Sequence, residues 1–257
     1  KFSLSAEHGE VLTERDSLNY LAPFLRQMAG VTVGLPALLD AFKRGGGVPY
    51  ASYGADVIEG QADINRAAFL GLLGSEWLPQ VADVHARLAK PGARVADIAC
   101  GAAWSSIAIA KAYPEATVDG FDLDAASITM AQWNASEVGL ADRVRPQLRD
   151  AADPAYRGAY DLVVAFECVH DFSQPVAVLR AMREMASDDG AVIVMDERTG
   201  EEFAAPADDL DRLFYGWSVL LCLPNGMVDE PSTATGTVMR PSQLEAYARE
   251  AGFARTE

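Results

Sequence analysis

Glu167-Cys168-Val169-His170-Asp171 puts an imidazole between two carboxylates within five residues. A histidine in such company can act as a general base, taking the proton of an acceptor hydroxyl or of an enolisable carbon. It can equally be a structural histidine bonded to backbone, and the sequence leaves both readings open. A metal held by His170 with Glu167 or His8 is a third reading that spacing cannot establish, so no metal is expected. The second chemical grouping is Val95-Ala-Asp-Ile-Ala-Cys-Gly-Ala-Ala-Trp-Ser-Ser-Ile-Ala-Ile-Ala110. Its small residues let backbone approach a ligand beside a helix N-terminus. Downstream, Val118-Asp-Gly-Phe-Asp122-Leu-Asp124 ends in acids. A carboxylate about 20–25 residues past such a turn can grip a ribose diol. Read blandly, Asp122 is a solvated turn acid, Gly101 a strand terminator and Asp150 a helix N-cap.

These groups need elements to position them. Arg94–Cys100, Ala116–Phe121, Val144–Leu148, Asp161–Phe166 and Ala191–Met195 read as strands, separated by helical stretches near 105–112, 125–138 and 175–185. That alternation predicts an α/β fold with a doubly wound, mostly parallel, buried sheet. Residues from about 14 to 90 contain no convincing strand and form a helical cap region over 1–90. Leu18, Leu21, Ala22, Leu25 and Met28 recur at helical spacing, as do Leu35, Leu38, Leu39 and Phe42, which reads as core packing. Further helices are expected at Asp63–Leu73 and Leu78–Leu88, the latter stopped by Lys90-Pro91-Gly92. The second domain runs over 91–257, with a lid inserted at about 198–237 that carries Phe214, Tyr215 and Trp217. A last helix covers Ser242–Ala251. Such a sheet normally continues, so C-terminal strands are expected beyond residue 257.

Half of the 257 residues are hydrophobic and 23% are charged, the proportions of a globular chain. No apolar run reaches the ~18 residues that cross a bilayer, and no signal-peptide pattern opens the chain. Thirty-seven acidic against 21 basic side chains give a net charge of −16, which repels phosphate backbones and makes nucleic acid a poor partner. Three scattered cysteines, Cys100, Cys168 and Cys222, suit a reducing cytoplasm and small buried positions.

In order along the chain, Asp97-Ile-Ala-Cys-Gly101, Gly120-Phe-Asp122-Leu-Asp124, Arg149-Asp150-Ala151 and Tyr160-Asp161-Leu-Val-Val-Ala-Phe-Glu167 resemble the successive motifs of class I methyltransferases dependent on S-adenosylmethionine (SAM). Trp104-Ser105-Ser106 and Glu167-Cys-Val-His170-Asp171 are similar to an actinobacterial subgroup that often carries an N-terminal winged-helix domain. The resemblance implies a Rossmann-like core with SAM as cofactor. It places Asp97 behind the methionine end, Ala99 and Gly101 under the SAM backbone, Asp122 on both ribose hydroxyls and Leu123 against the adenine. Asp150, followed by Ala151, would take the adenine amino group, and Phe166 would lie near the sulfonium. Family turns carry glycine at three alternating positions; here Ala99 and Ala103 flank Gly101, and the Ala103 methyl is expected to obstruct the ligand and to disfavour φ > 0.

The reading that follows is SAM-dependent methyl transfer to a small-molecule acceptor, with His170 and Glu167 as candidate catalytic residues and a homodimer as a possible assembly. Two rivals stand beside it. One is a SAM-binding enzyme that cyclises or decarboxylates; the other is a ligand-sensing module with little turnover. Trp104 touches the methionine region or packs the first core helix. Tyr20 and Phe24 either cover the pocket or belong to the core.

Overall fold

The computed structural model describes residues 2–150 and 156–257. Five strands, β1 Arg94–Ile98, β2 Thr117–Asp122, β3 Val144–Leu148, β4 Tyr160–Phe166 and β5 Ala186–Met195, form one sheet in the order β3-β2-β1-β4-β5. All pairings among them are parallel, as expected for strands read as continuous apolar runs. β5 begins five residues earlier than the sequence suggests, because its register slips between Tyr160↔Ala186 and Leu162↔Ala191.

The sheet is buried on both faces. Val95, Val118, Leu162 and Val164 point to one side, against α7 (Trp104–Ala112) and α8 (Ala125–Glu137). Ala96, Ile98, Val163 and Ala165 point to the other, against α9 (Pro175–Met185). The period-2 alternation of β4 thus feeds two cores. The expected C-terminal helix, α12 (Pro241–Glu250), packs on α9.

The cap contains α1 (Ala6–Thr13), α2 (Ala22–Arg44) and α3 (Ala55–Ile64). Past Asn65 come α4 (Arg66–Ala68), a π-helical stretch Phe69–Trp77, α5 (Leu78–Gln80) and α6 (Ala82–Leu88). The helix expected at Asp63–Leu73 is therefore interrupted at Asn65. The stripe read as core is corrected too. Leu18, Leu21, Leu25, Met28, Leu39 and Phe42 are all exposed, and α2 buries Pro23, Gln27, Gly30, Val31, Gly34 and Leu38 instead. The cause is close packing at the glycines. A Cβ on Gly30 would lie 2.7 Å from the Val57 side chain, and one on Gly34 would lie 2.3 Å from the Tyr53 ring. Only a row without side chains lets α2 approach α3 this closely.

The lid folds as α10 (Asp209–Trp217), a π-helical turn Ser218–Cys222 and α11 (Leu223–Gly226). Leu221 and Cys222 join Val31, Leu38, Val48, Tyr53 and Val57 in a third apolar cluster, so cap and lid share one small core. Among the described residues, no helix is long and apolar enough to cross a membrane.

Candidate functional site

A cavity of about 470 Å³ opens at the carboxyl ends of β1, β2 and β4, roofed by cap and lid. This is the edge where open parallel sheets bind ligands, at the point where neighbouring strands diverge. A shallower cleft of about 540 Å³ lies at the opposite edge, beside Lys90, Pro91 and Asp161. None of the candidate site residues lines it.

The turn after β1 forms the floor of the cavity. Ala99, Gly101 and Ala103 alternate at φ +54°, +50° and +62°. A left-handed conformation costs a residue with a Cβ about 1–2 kcal/mol, so both alanines are held there by the surrounding fold. The expectation that the Ala103 methyl obstructs the ligand is corrected: Ala103 adopts the disfavoured φ > 0, but its methyl is buried in the core rather than in the cavity. A Cβ on Gly101, by contrast, would meet nothing within 4 Å. Gly101 thus leaves open the space that a ligand backbone needs. Asp97 clamps the turn from behind, accepting hydrogen bonds from Ser105 Oγ (2.6 Å) and Ser106 Oγ (2.5 Å). Burial lifts its carboxyl to about 6 even though both serines oppose the shift.

Asp122 ends β2 with both oxygens engaged: Oδ2 accepts from Gly101 N–H at 2.8 Å and Oδ1 from Asp124 N–H at 2.8 Å. Each carboxylate oxygen can accept a second bond, and the residue lines the cavity. Burial raises its affinity for a proton. Leu123, Asp150 and Phe166 also line the cavity, Leu123 being 71% exposed and Phe166 lying 5.7 Å from the Phe69 ring. Ala151 lies outside the described residues. Trp104 packs against the core and also lines the cavity, with an Nε1–H that is buried and has no hydrogen-bond partner among the described residues. Phe24 stacks 5.1 Å from Trp217, a cavity residue, whereas Tyr20 is not part of the lining.

The acid–histidine grouping sits under the roof. Glu167, just past β4, adopts φ +54° and accepts a short hydrogen bond from the Asn65 amide of the cap. Strain of this kind persists only where the fold imposes it. His170 is 2% exposed, and its Nδ1 lies 2.5 Å from Asp196 Oδ1. Its Nε2 lies 3.6 Å from Asp171 Oδ1. Burial by itself would lower the basicity of His170. The Asp171 charge, the Asp196 bond and the Cys222 thiol together outweigh it and hold the imidazole well above 6.5. Burial raises Glu167, with Asn65 opposing, and lifts Glu197 to about 8. Glu197 also lines the cavity, and its Oε2 is buried with no hydrogen-bond partner among the described residues.

The structure therefore brings Asp97, Ala99, Gly101, Asp122, Leu123, Asp150, Phe166, Glu167 and His170 around one cavity. His8, on α1, is exposed and not among its lining residues. Sequence reasoning missed Asn65, Phe69, Asp196, Glu197 and Cys222. Asp196-Glu197 directly follows β5, at the same sheet edge, and that position was the one available signal.

Residues 89–230 match the methyltransferase domain family. The ubiquinone biosynthesis O-methyltransferase of Pseudomonas aeruginosa is 27% identical over 170 residues, covering 66% of this chain and 68% of that protein. Among solved structures, PigF with SAH superposes with a TM-score of 0.66 at 17% identity, over 99% of this chain and 74% of that one. The mitomycin 7-O-methyltransferase MmcR gives a TM-score of 0.64 at 20% identity, over 98% and 70%. At these identities the structural likenesses establish the fold.

Proposed function

The chain belongs to the methyltransferase domain family and is a SAM-dependent methyltransferase, and from that premise we propose that it methylates a hydroxyl of a small-molecule acceptor, with His170 as the base. The observation that carries this reading is that His170 lines the same cavity as Asp122, with its Nδ1 2.5 Å from Asp196 Oδ1 behind it.

The residues present suit the cofactor. The free lone pairs of Asp122 match a ribose diol, since a carboxylate offers two acceptors at the spacing of two hydroxyls. Gly101 leaves room beneath the amino-acid end, with Ala99 in the same turn and Asp97 fixing it. The Trp104 Nε1–H, without a hydrogen-bond partner among the described residues, offers a donor to a ligand carboxylate. Leu123 would flank the adenine and Asp150 would take its amino group. Phe166 would face the sulfonium, where an aromatic ring gains from cation–π attraction.

When bound, SAM supplies an electrophilic methyl carbon. Asp196 holds the His170 ring through Nδ1 and leaves Nε2 for the acceptor proton. The neutral imidazole would take that proton as the acceptor oxygen is methylated, leaving the cofactor as S-adenosylhomocysteine. Cap and lid exclude water and align the reactants, which is most of what this displacement requires. Glu167, tied to Asn65, joins the cap to the reacting edge as a positioning residue. The acidic chain disfavours nucleic acid as acceptor, and the three free buried thiols fit a reducing cytoplasm. The exposed apolar side chains Leu25, Met28, Leu39 and Phe42 on α2, with Leu21 just before it, support a homodimer.

The test is turnover of methyl-labelled SAM with a panel of small hydroxylated acceptors. One S-adenosylhomocysteine per methylated product is expected. His170→Gln should still bind S-adenosylhomocysteine and lose about 10²–10⁴ in kcat. Product formed without SAM consumption, or full activity in His170→Gln, overturns the reading.

A further inference from the structure

Beside its proposed part in methyl transfer, His170 shares a second geometry at the roof of the cavity with Asp171 and Cys222. His170 and Asp171 are consecutive on the 3-10 turn Val169–Asp171, and Cys222 ends the π-helical turn of the lid. A ring nitrogen of His170, a carboxylate oxygen of Asp171 and Cys222 Sγ all lie within 4.8 Å of one another, with His170 Nε2 and Asp171 Oδ1 3.6 Å apart. That is too long for a hydrogen bond. It is about the edge of a tetrahedron whose centre lies ~2.0–2.3 Å from N, O and S ligands.

We propose that His170, Asp171 and Cys222 form a three-ligand site for a borderline-soft divalent cation of the zinc class, with the fourth position open to the cavity. Four independent features agree. Asp171 Oδ1 is buried and, among the described residues, has the Cys222 thiol and the His170 ring as its polar neighbours, so acceptor and thiol already face each other as two ligands of one ion would. Asp196 receives the Nδ1–H of His170, which is the outer carboxylate that usually orients a metal-bound imidazole and sets its tautomer. The ligand charges balance, because a neutral imidazole, a carboxylate and a thiolate carry −2 against a divalent cation. Cys222 lies on a π-helical turn, a distortion found most often at functional sites. All three ligands line the cavity, so a water or an acceptor oxygen or sulfur can take the fourth position.

The donor set selects the metal. Imidazole plus thiolate suits zinc, whereas magnesium and calcium demand oxygen ligands. On binding, the Cys222 thiol forms a metal–sulfur bond and releases its proton to solvent. Any proton on Nε2 is released as well. His170 can then ligate metal or accept a substrate proton but not both, and the loaded and base-competent forms exclude each other. The site itself does not depend on the proposed acceptor chemistry. A metal held by His170 with Glu167 or His8 is not supported, since neither residue shares a candidate ligand cluster with His170 among the described residues.

The experiment is titration of the full chain, stripped with EDTA, with Co²⁺ and then Zn²⁺, alongside calorimetric titration of the same sample with S-adenosylhomocysteine. One equivalent of Co²⁺ should bind with a thiolate-to-cobalt charge-transfer band, which one equivalent of Zn²⁺ erases. Cys222→Ser should remove the band. Asp196→Asn should retain it with about 10–100-fold weaker affinity. Failure to bind Co²⁺ in protein that melts cooperatively, or a band that persists in Cys222→Ser, overturns the metal site. If S-adenosylhomocysteine binds while the metal does not, the cofactor assignment stands alone. The reverse result leaves the metal site standing without it.

Discussion

Asparagine at position 122 keeps the shape of the aspartate and removes one acceptor and the charge. In the wild-type structure the two carboxylate oxygens separately accept Gly101 N–H and Asp124 N–H, each at 2.8 Å. The asparagine amide has one oxygen, so in either orientation its NH₂ faces a backbone donor. An unsatisfied donor of this kind costs about 1–3 kcal/mol of stability. The consequence for the ligand is separate. One of two charge-assisted bonds to the ribose is lost, worth about 1.5–3 kcal/mol, which is a weakening of roughly 10–150-fold. Calorimetric titration of Asp122→Asn with S-adenosylhomocysteine reads this directly. Repeating it with the 2′-deoxy analogue separates ribose contact from distortion of the turn. Deoxygenation should cost the wild type clearly more than the variant. An affinity within threefold of wild type, or an equal cost of deoxygenation in both proteins, would refute the ribose assignment.

The remaining expectations concern the base, the buried acids and the cap. In EDTA-treated protein, kcat/KM should rise with pH along a limb lying above 6.5, because His170 must lose a proton that its acidic neighbours hold. Asp196→Asn should move that limb downward, and a limb at or below 6.5 in the wild type would contradict the dyad. Glu197 is lifted from 4.5 to about 8 by burial, so its folded form binds a proton that the unfolded chain has released. Its contribution is complete below 4.5 and is lost as pH rises towards 8. Glu197→Gln should therefore stabilise the fold at pH 9 by roughly 2–4 kcal/mol and change little at pH 4, as measured by urea unfolding; equal effects at both pH values would be the wrong outcome. Gly34→Ala should cost about 1–3 kcal/mol by overpacking, since its Cβ would fall 2.3 Å from the buried Tyr53 ring, whose hydroxyl is fixed by Leu220 O. An unchanged urea midpoint would mean that α2 is not held as described.

The sheet and its edge were legible because their signals are local. A strand buried on both faces reads as an unbroken apolar run, and Ile98, Phe121 and Phe166 each end such a run beside small or acidic residues. Gly101 and Asp122 could be placed for the same reason. The cap was misread where a local rule met a tertiary one. The leucines of α2 have helical spacing, but Gly30 and Gly34 decide which face is buried, and their role appears only once Val57 and Tyr53 are in place. Ala103 was misread similarly, since nothing in its neighbours says that its methyl turns into the core. His170 was found from its acidic neighbours, yet its hydrogen-bond partner is Asp196, 26 residues away and just past β5. Cys222 and Asn65 reach the site from the lid and the cap, and no sequence spacing joins them to it.

The central claim is that the cavity binds SAM through the turn after β1 and the acid ending β2. Calorimetric titration of the purified protein with SAM and with S-adenosylhomocysteine tests it most directly. The account predicts one site per chain with micromolar affinity for both ligands, because Ala103 leaves the ligand path clear and Gly101 and Asp122 stand ready. No heat of binding from either ligand, in protein that unfolds cooperatively, would contradict it.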